Sequence, residues 1–270
     1  MSGYTILKVL QEPYKASIVT SLSAHLLYID DPSKASHFDR VLGRALHSLV
    51  NLDNLEVRCQ LCWENRHHYL ARLGARRLRH LSINCVENAN LVINCVENAN
   101  FVLGSTVRQE TFSSVETLKW STSFGSPLAG PTNPAYFPKL NALEYNGNIA
   151  SNILLATRSI RRLQIDNIRP CHHPRLLVSL RSSPGRLTHL ILKYFDNYQV
   201  VIKEAPDLFV QLQHLGSIPW LSHTDPATFV NSTLSAVLKL LPNLTSLDVD
   251  AGFDRERETY NDLVYLSKLH

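Results

Sequence analysis

Two short stretches carry the residue types that metal or acid–base chemistry needs. Cys59, Cys62, His67 and His68 bring two thiols and two imidazoles together, the donor set of a structural zinc site. A basic run follows through Arg72, Arg76, Arg77 and Arg79, of the kind that meets phosphates. Cys171, His172 and His173 form a second cluster, in a predicted loop, and Ser222, His223 and Asp225 are the residue types of a hydrolytic triad. Each group has a plainer reading. Only four residues part Cys62 from His67, which is short beside known zinc spacings, and adjacent histidines rarely face one metal. Cys59 continues a buried alternation begun by Leu55 and Val57, and the arginines suit a solvated helix face. The Cys171 cluster lacks a partner pair nearby in sequence, and closeness along the chain does not make a triad. No phosphate-binding loop, Gly-x-Gly-x-x-Gly, His-Glu-x-x-His or Gly-x-Ser-x-Gly occurs. The expectation is a non-enzymatic chain with no metal and no cofactor. A metal- or nucleic-acid-binding role through Cys59, Cys62, His67, His68 and the Arg72–Arg79 run stands as the alternative.

What must position these residues is a repeated step of apolar residues, Leu-x-x-Leu-x-Φ, where Φ is apolar. It reads Leu52-Leu55-Val57, Leu78-Leu81-Ile83, Val115-Leu118-Trp120, Leu140-Leu143-Tyr145, Ile160-Leu163-Ile165, Leu187-Leu190-Leu192 and Leu244-Leu247-Val249. Weaker copies are Val19-Leu22-Ala24 and Leu212-Leu215, where Ser217 replaces the third apolar residue. The last two apolar positions alternate with polar ones, which predicts a short strand with one buried face. Prolines before several steps (Pro138, Pro184, Pro242) would end an incoming helix. Self-similarity at a period in the twenties signals a stack of strand–helix units.

On these residues the chain resembles the leucine-rich-repeat family in its intracellular, ribonuclease-inhibitor-like form, over roughly residues 18 to 250. The resemblance implies an α/β leucine-rich-repeat solenoid: a curved parallel sheet on the concave side, helices on the convex side. It departs from the family at the turn after the strand, where Cys59 and Cys85 sit two residues beyond the third apolar position rather than three. The expected organisation is one domain over 1–270, with an N-terminal cap at 1–17, repeats at 18–250 and a capping helix at 251–270. Phrases such as Arg77-Leu-Arg-His-Leu-Ser-Ile-Asn resemble the repeat region of fungal F-box/leucine-rich-repeat proteins, which implies a substrate receptor for a cullin-type ubiquitin ligase. An F-box is not visible before residue 18, so the ligase adaptor role holds only where that module is supplied elsewhere.

Composition sets the outer bounds. At 270 residues and 44% hydrophobic, the chain can bury a substantial core. No apolar run reaches the roughly eighteen residues of a membrane span. The start, Met1-Ser2-Gly3-Tyr4, has neither the basic nor the apolar part of a secretory leader. Five cysteines, an odd number, fit a reducing compartment, so the expected location is the cytoplasm or nucleus. A net charge of +4 neither demands nor excludes an acidic partner.

Between the steps, the sequence predicts a helix opening at Ser36, with Phe38, Val41, Leu42, Ala45, Leu46 and Leu49 as its apolar stripe. A second helix covers Leu176–Leu180 and stops at Ser182-Ser-Pro-Gly, and a third starts at Asp225-Pro226. Residues 121–136 read as a long loop. The segment Ile83–Val92 is repeated almost unchanged as Ile93–Val102, and Ile83 is expected to hold the strand slot because Leu81 completes its step. A (β/α)8 barrel has the right length but would bury the residues alternating with the leucines. Burying those charges without partners would cost several kcal/mol each.

Those alternating residues are the expected binding surface for a protein partner. On the concave face they are Glu56, Arg58, His80, Lys119, Glu144, Arg162, Gln164, Asp166, Lys193 and Asp248. A second surface is the rim, where loops carry Trp63, Phe124, Tyr194, Phe195, Tyr198 and Trp220, residue types enriched at binding hot spots.

Overall fold

The computed structural model describes residues 10, 12–26, 32–59, 73, 77–85, 112–122, 137–146, 153–166, 173–193, 198–219 and 235–250. Its strands are β1 (Ser21–Leu26), β2 (Asn54–Cys59), β3 (His80–Cys85), β4 (Thr117–Thr122), β5 (Ala142–Asn146), β6 (Arg162–Asp166), β7 (His189–Lys193), β8 (His214–Pro219) and β9 (Ser246–Asp250). All nine lie in one sheet, each hydrogen-bonded to the next in sequence, from β1 at one edge to β9 at the other. Every pairing is parallel. The sheet is open, not closed into a barrel.

Register explains why the sequence step recurs. Leu22, Leu55, Leu81, Leu118, Leu143, Leu163, Leu190, Leu215 and Leu247 stand opposite one another, one leucine per strand. From Leu55 to Leu215 none is more than 2% exposed. Two residues further along each strand, a second column runs Ala24, Val57, Ile83, Trp120, Tyr145, Ile165, Leu192. Both columns face the same side because strand side chains alternate. Each buried leucine stabilises the fold by about 1.5–3 kcal/mol relative to an exposed one.

The backbone repeats as faithfully as the side chains. At each joint one carbonyl accepts from two successive N–H groups of the next repeat: Asp53 and Asn54 donate to Thr20, Arg79 and His80 to Asp53, and so on to Thr245 and Ser246 on Gln213. Ile83 pairs with Val57 and Trp120 and is buried, so the first copy of the duplicated segment holds the strand slot; residues 86–111 lie outside the described residues. In β8 a register irregularity between Leu215 and Ile218 places Ile218, not Ser217, opposite Val249. The weak copy of the step is completed by a bulge that periodic counting passes over.

The covered face is filled from α1 (Pro13–Ser17), α2 (Pro32–Ser48), α3 (Ile153–Thr157), α4 (His173–Ser182), α5 (Tyr198–Glu204), α6 (Pro206–Phe209) and α7 (Ser235–Leu238). Val41, Leu42, Ala45, Leu46 and Leu49 of the α2 segment join one hydrophobic cluster with the strand leucines, as do Leu176, Leu177 and Leu180 of α4. Helix α2 starts at Pro32, four residues before the predicted opening at Ser36, because proline at a first helical position lacks only an N–H that would have no partner there. Ser121 and Thr122 extend β4 instead of opening the predicted loop. His173 opens α4 and is buried, outside the loop expected for it. The segment 251–270, assigned to a capping helix, and Asp225-Pro226 lie outside the described residues.

A further apolar position, three residues before five of the steps, is read from the sequence at Leu49 and Leu241 but missed at its phenylalanines. Leu49, Phe112, Phe137, Phe209 and Leu241 occupy it, each 2% exposed or less. Their carbonyls accept from the first residue of the step, as in Leu52 N to Leu49 O and Val115 N to Phe112 O. Phe137 does so from a left-handed backbone, φ 57°, a conformation that costs a bulky residue on the order of 1–2 kcal/mol. Offsetting that, its ring stacks on Phe112 at 5.3 Å and its carbonyl accepts from Arg158 Nε at 2.9 Å. Gly185 is fixed by close approach: a Cβ there would fall 2.6 Å from the backbone of Ser159. No helix among the described residues is long and apolar enough to cross a membrane.

Candidate functional site

The other face of the sheet is the candidate site. Its side chains occupy three rows; among the described residues the polar ones are half-buried or exposed, and only the small Ala142 and Gly216 are buried. Alternation alone puts them there, since each neighbours a residue whose side chain enters the core.

The middle row runs Ser23, Glu56, Ser82, Lys119, Glu144, Gln164, Ile191 from β1 to β7. It is knitted by short polar contacts. Ser23 Oγ donates to Glu56 Oε2 at 2.9 Å and Arg58 Nε to Glu56 Oε1 at 2.7 Å. Arg58 first, and then Ser23, holds the Glu56 carboxyl below its usual range. Lys119 Nζ reaches Glu144 Oε1 at 2.5 Å. Gln164 Nε2 donates to that same oxygen at 3.1 Å and to Asp166 Oδ1 at 3.2 Å. At the strand starts, Arg79 makes a two-pronged contact with Asp53 (2.6 and 2.8 Å), which lowers the Asp53 pKa. Such exposed pairs add little stability, about 0–1 kcal/mol each. Their effect is to fix charged groups in place.

Toward β9 the chemistry changes. The row that begins each strand runs Asn54, His80, Thr117, Ala142, Arg162, His189, His214, Ser246. His189 and His214 lie with ring centroids 5.5 Å apart. His214 Nδ1 meets Ser246 Oγ at 2.8 Å, its Nε2 lies 3.5 Å from Asp248, and His189 Nδ1 meets Thr188 Oγ1 at 3.0 Å. Burial, then the nearby charges of His214 and Arg162, lowers the His189 pKa below 6.5. Gly216 leaves room here: a Cβ would stand 2.8 Å from Ile191 Cγ1 and 3.2 Å from His214 Nε2.

Of the predicted concave-face residues, Glu56, Arg58, His80, Lys119, Glu144, Arg162, Gln164, Asp166 and Asp248 fall on this open face. Lys193 stands opposite Asp166 in the backbone register; its side chain lies outside the described residues. Of the rim set, Trp63, Phe124, Tyr194, Phe195 and Trp220 lie outside the described residues, while Tyr198 is the first residue of α5 rather than part of the loop. His189 and His214 were missed. The signal for them is His-Leu, which recurs as His25-Leu26, His80-Leu81, His189-Leu190 and His214-Leu215.

Most residues of the clusters that invited catalysis or metal, Cys171, His172, Ser222, His223 and Asp225 among them, lie outside the described residues. Cys59 ends β2, whereas Cys62, His67, His68, Arg72 and Arg76 lie outside the described residues, and Arg79 is bound to Asp53. No group of three or more metal-type side chains occurs among the described residues. What the open face does have, among the described residues, is an array of donors, acceptors and charges held by one another. No protein-family model matches this chain, and no curated protein and no solved structure matches it.

Proposed function

We propose that this chain is a leucine-rich-repeat solenoid that binds a protein partner on the open face of its sheet. One observation carries the reading. A column of nine leucines binds strand to strand on one side, while the residues between them are held by mutual hydrogen bonds and ion pairs and left accessible on the other. Accessible, pre-positioned polar groups reduce the ordering cost of an interface and set its specificity. The resemblance to F-box/leucine-rich-repeat receptors extends the reading to substrate recruitment for a ubiquitin ligase when an F-box is supplied.

A photo-crosslinking amino acid at Gln164 or Lys119, on the open face, tests this against one at exposed Val178 on α4. Expected is one recurring protein adduct, the same from both open-face positions and missing from Val178. Adducts arising only from α4, or unrelated ones at every position, would overturn the reading. Ubiquitination of the adduct's protein that depends on this chain is the readout for the ligase role.

A further inference from the structure

The charge of this protein is unevenly placed. Residues 139–193 hold nine Lys and Arg against two carboxylates, Glu144 and Asp166, although the whole chain carries only +4. Both carboxylates already receive hydrogen bonds, Glu144 from Lys119 and Gln164 and Asp166 from Gln164. Arg58, Arg79 and Lys119 each hold a carboxylate. Lys139, Arg161, Arg162 and Arg186 are exposed and form no ion pair among the described residues.

These unpaired cations are brought together at the strand-start edge of β5, β6 and β7. Arg161 N donates to Asn141 O, and Arg161 O accepts from Thr188 N and His189 N at 2.8 and 3.0 Å, so its backbone is pinned on both sides. Lys139 and Arg186 precede Asn141 and Thr188 by two residues, in the turns flanking Arg161. Successive anchors are therefore spaced by one strand interval, about 4.8 Å. From β5 to β9 the two residues at each strand start are Asn141-Ala142, Arg161-Arg162, Thr188-His189, Gln213-His214 and Thr245-Ser246, with no carboxylate among them.

We propose that this edge docks an extended acidic segment, a run of Asp and Glu, of the protein partner; the inference rests on the open-face reading above. Polypeptide fits better than nucleic acid, whose bases seek aromatic faces to stack on. Among the described residues the one exposed Phe, Tyr or Trp is Tyr14, in α1, so none of these rings is presented at the edge.

Fluorescence anisotropy with a labelled deca-glutamate peptide and the full chain tests the inference, with a single-stranded oligonucleotide of similar length as competitor. At about 50 mM salt the peptide binds, and its affinity falls as salt screens the contact. Arg161→Glu with Arg162→Glu weakens binding about tenfold or more, whereas the charge-matched Arg175→Glu with Arg181→Glu, exposed on α4, changes it less than about twofold. Circular dichroism melts confirm that both variants fold. Equal losses from both variants, no binding by the parent chain, or tighter binding of the oligonucleotide would each overturn the proposal. If the Gln164 crosslink survives Arg161→Glu/Arg162→Glu undiminished, the open-face reading stands and the acidic-segment inference falls.

Discussion

Leu163 and Gln164 are neighbours in β6, yet they belong to different regimes. Leu163 is 2% exposed in a column of leucines, and Gln164 is half-buried among charges it helps to position. Similar pairs recur on other strands, Leu55 beside Glu56, Leu118 beside Lys119, Leu143 beside Glu144. The difference teaches that one side of this sheet specifies the fold and the other is free to vary without unfolding it. Within the open side there is a second contrast. From β2 to β5 the charges satisfy one another, and at the start of β6 they do not.

The largest expected effects lie on the covered side. Leu163→Ala should destabilise the chain by about 2–5 kcal/mol, because the cavity it leaves is shared by strands on both flanks. Denaturant midpoints measure this, and a loss no larger than that of Gln164→Ala would erase the contrast. Gly185→Ala should cost on the order of 1–3 kcal/mol, since its new methyl meets the backbone of Ser159, which has no side-chain freedom to yield. Arg158→Ala should cost a comparable amount, about 1.5–3 kcal/mol, through the lost charged hydrogen bond to the Phe137 carbonyl. On the open side Lys119→Ala and Gln164→Ala should each change stability by less than about 1 kcal/mol.

Much of this contrast is legible in the sequence, and the exceptions have physical reasons. The leucine column follows from spacing because a strand has one fixed period, and Ile83 could be assigned its slot from Leu81 alone. Ile218 could not, since a bulge adds a residue without leaving a mark in the pattern. Phe112 and Phe137 escaped because they pack from irregular backbone with no simple period, and Phe209 because its four-residue helix is too short to show one. The open face was legible as positions but not as partnerships. Nothing in the spacing tells that Lys119 meets Glu144 on the next strand while Arg162 stays unpaired; that depends on register between segments distant in the chain.

The smallest effects are in pH dependence, where the two ends of the open face should separate. His189 has a folded pKa below its ordinary 6.5, so between those values the unfolded chain binds the extra proton and stability rises with pH. Acidifying through 6.5 should therefore weaken the fold slightly, with burial first, and then His214 and Arg162, opposing the new charge. His189→Gln should flatten that part of the stability profile; an unchanged slope would remove the histidine pair from the account. Asp53 and Glu56 act lower on the scale. Their folded pKa values lie below 3.8 and 4.5, so the stability they contribute is present above those values and lost as pH falls through the folded ones.

The most direct test is a thiol-accessibility scan of β6. With the five native cysteines replaced, each residue from Arg162 to Asp166 becomes cysteine in turn and is labelled in the folded state. Positions 162, 164 and 166 should react at least about tenfold faster than 163 and 165, which react only on local opening. Equal protection at all five positions would mean that a second layer covers the face described here as open, and would contradict the account.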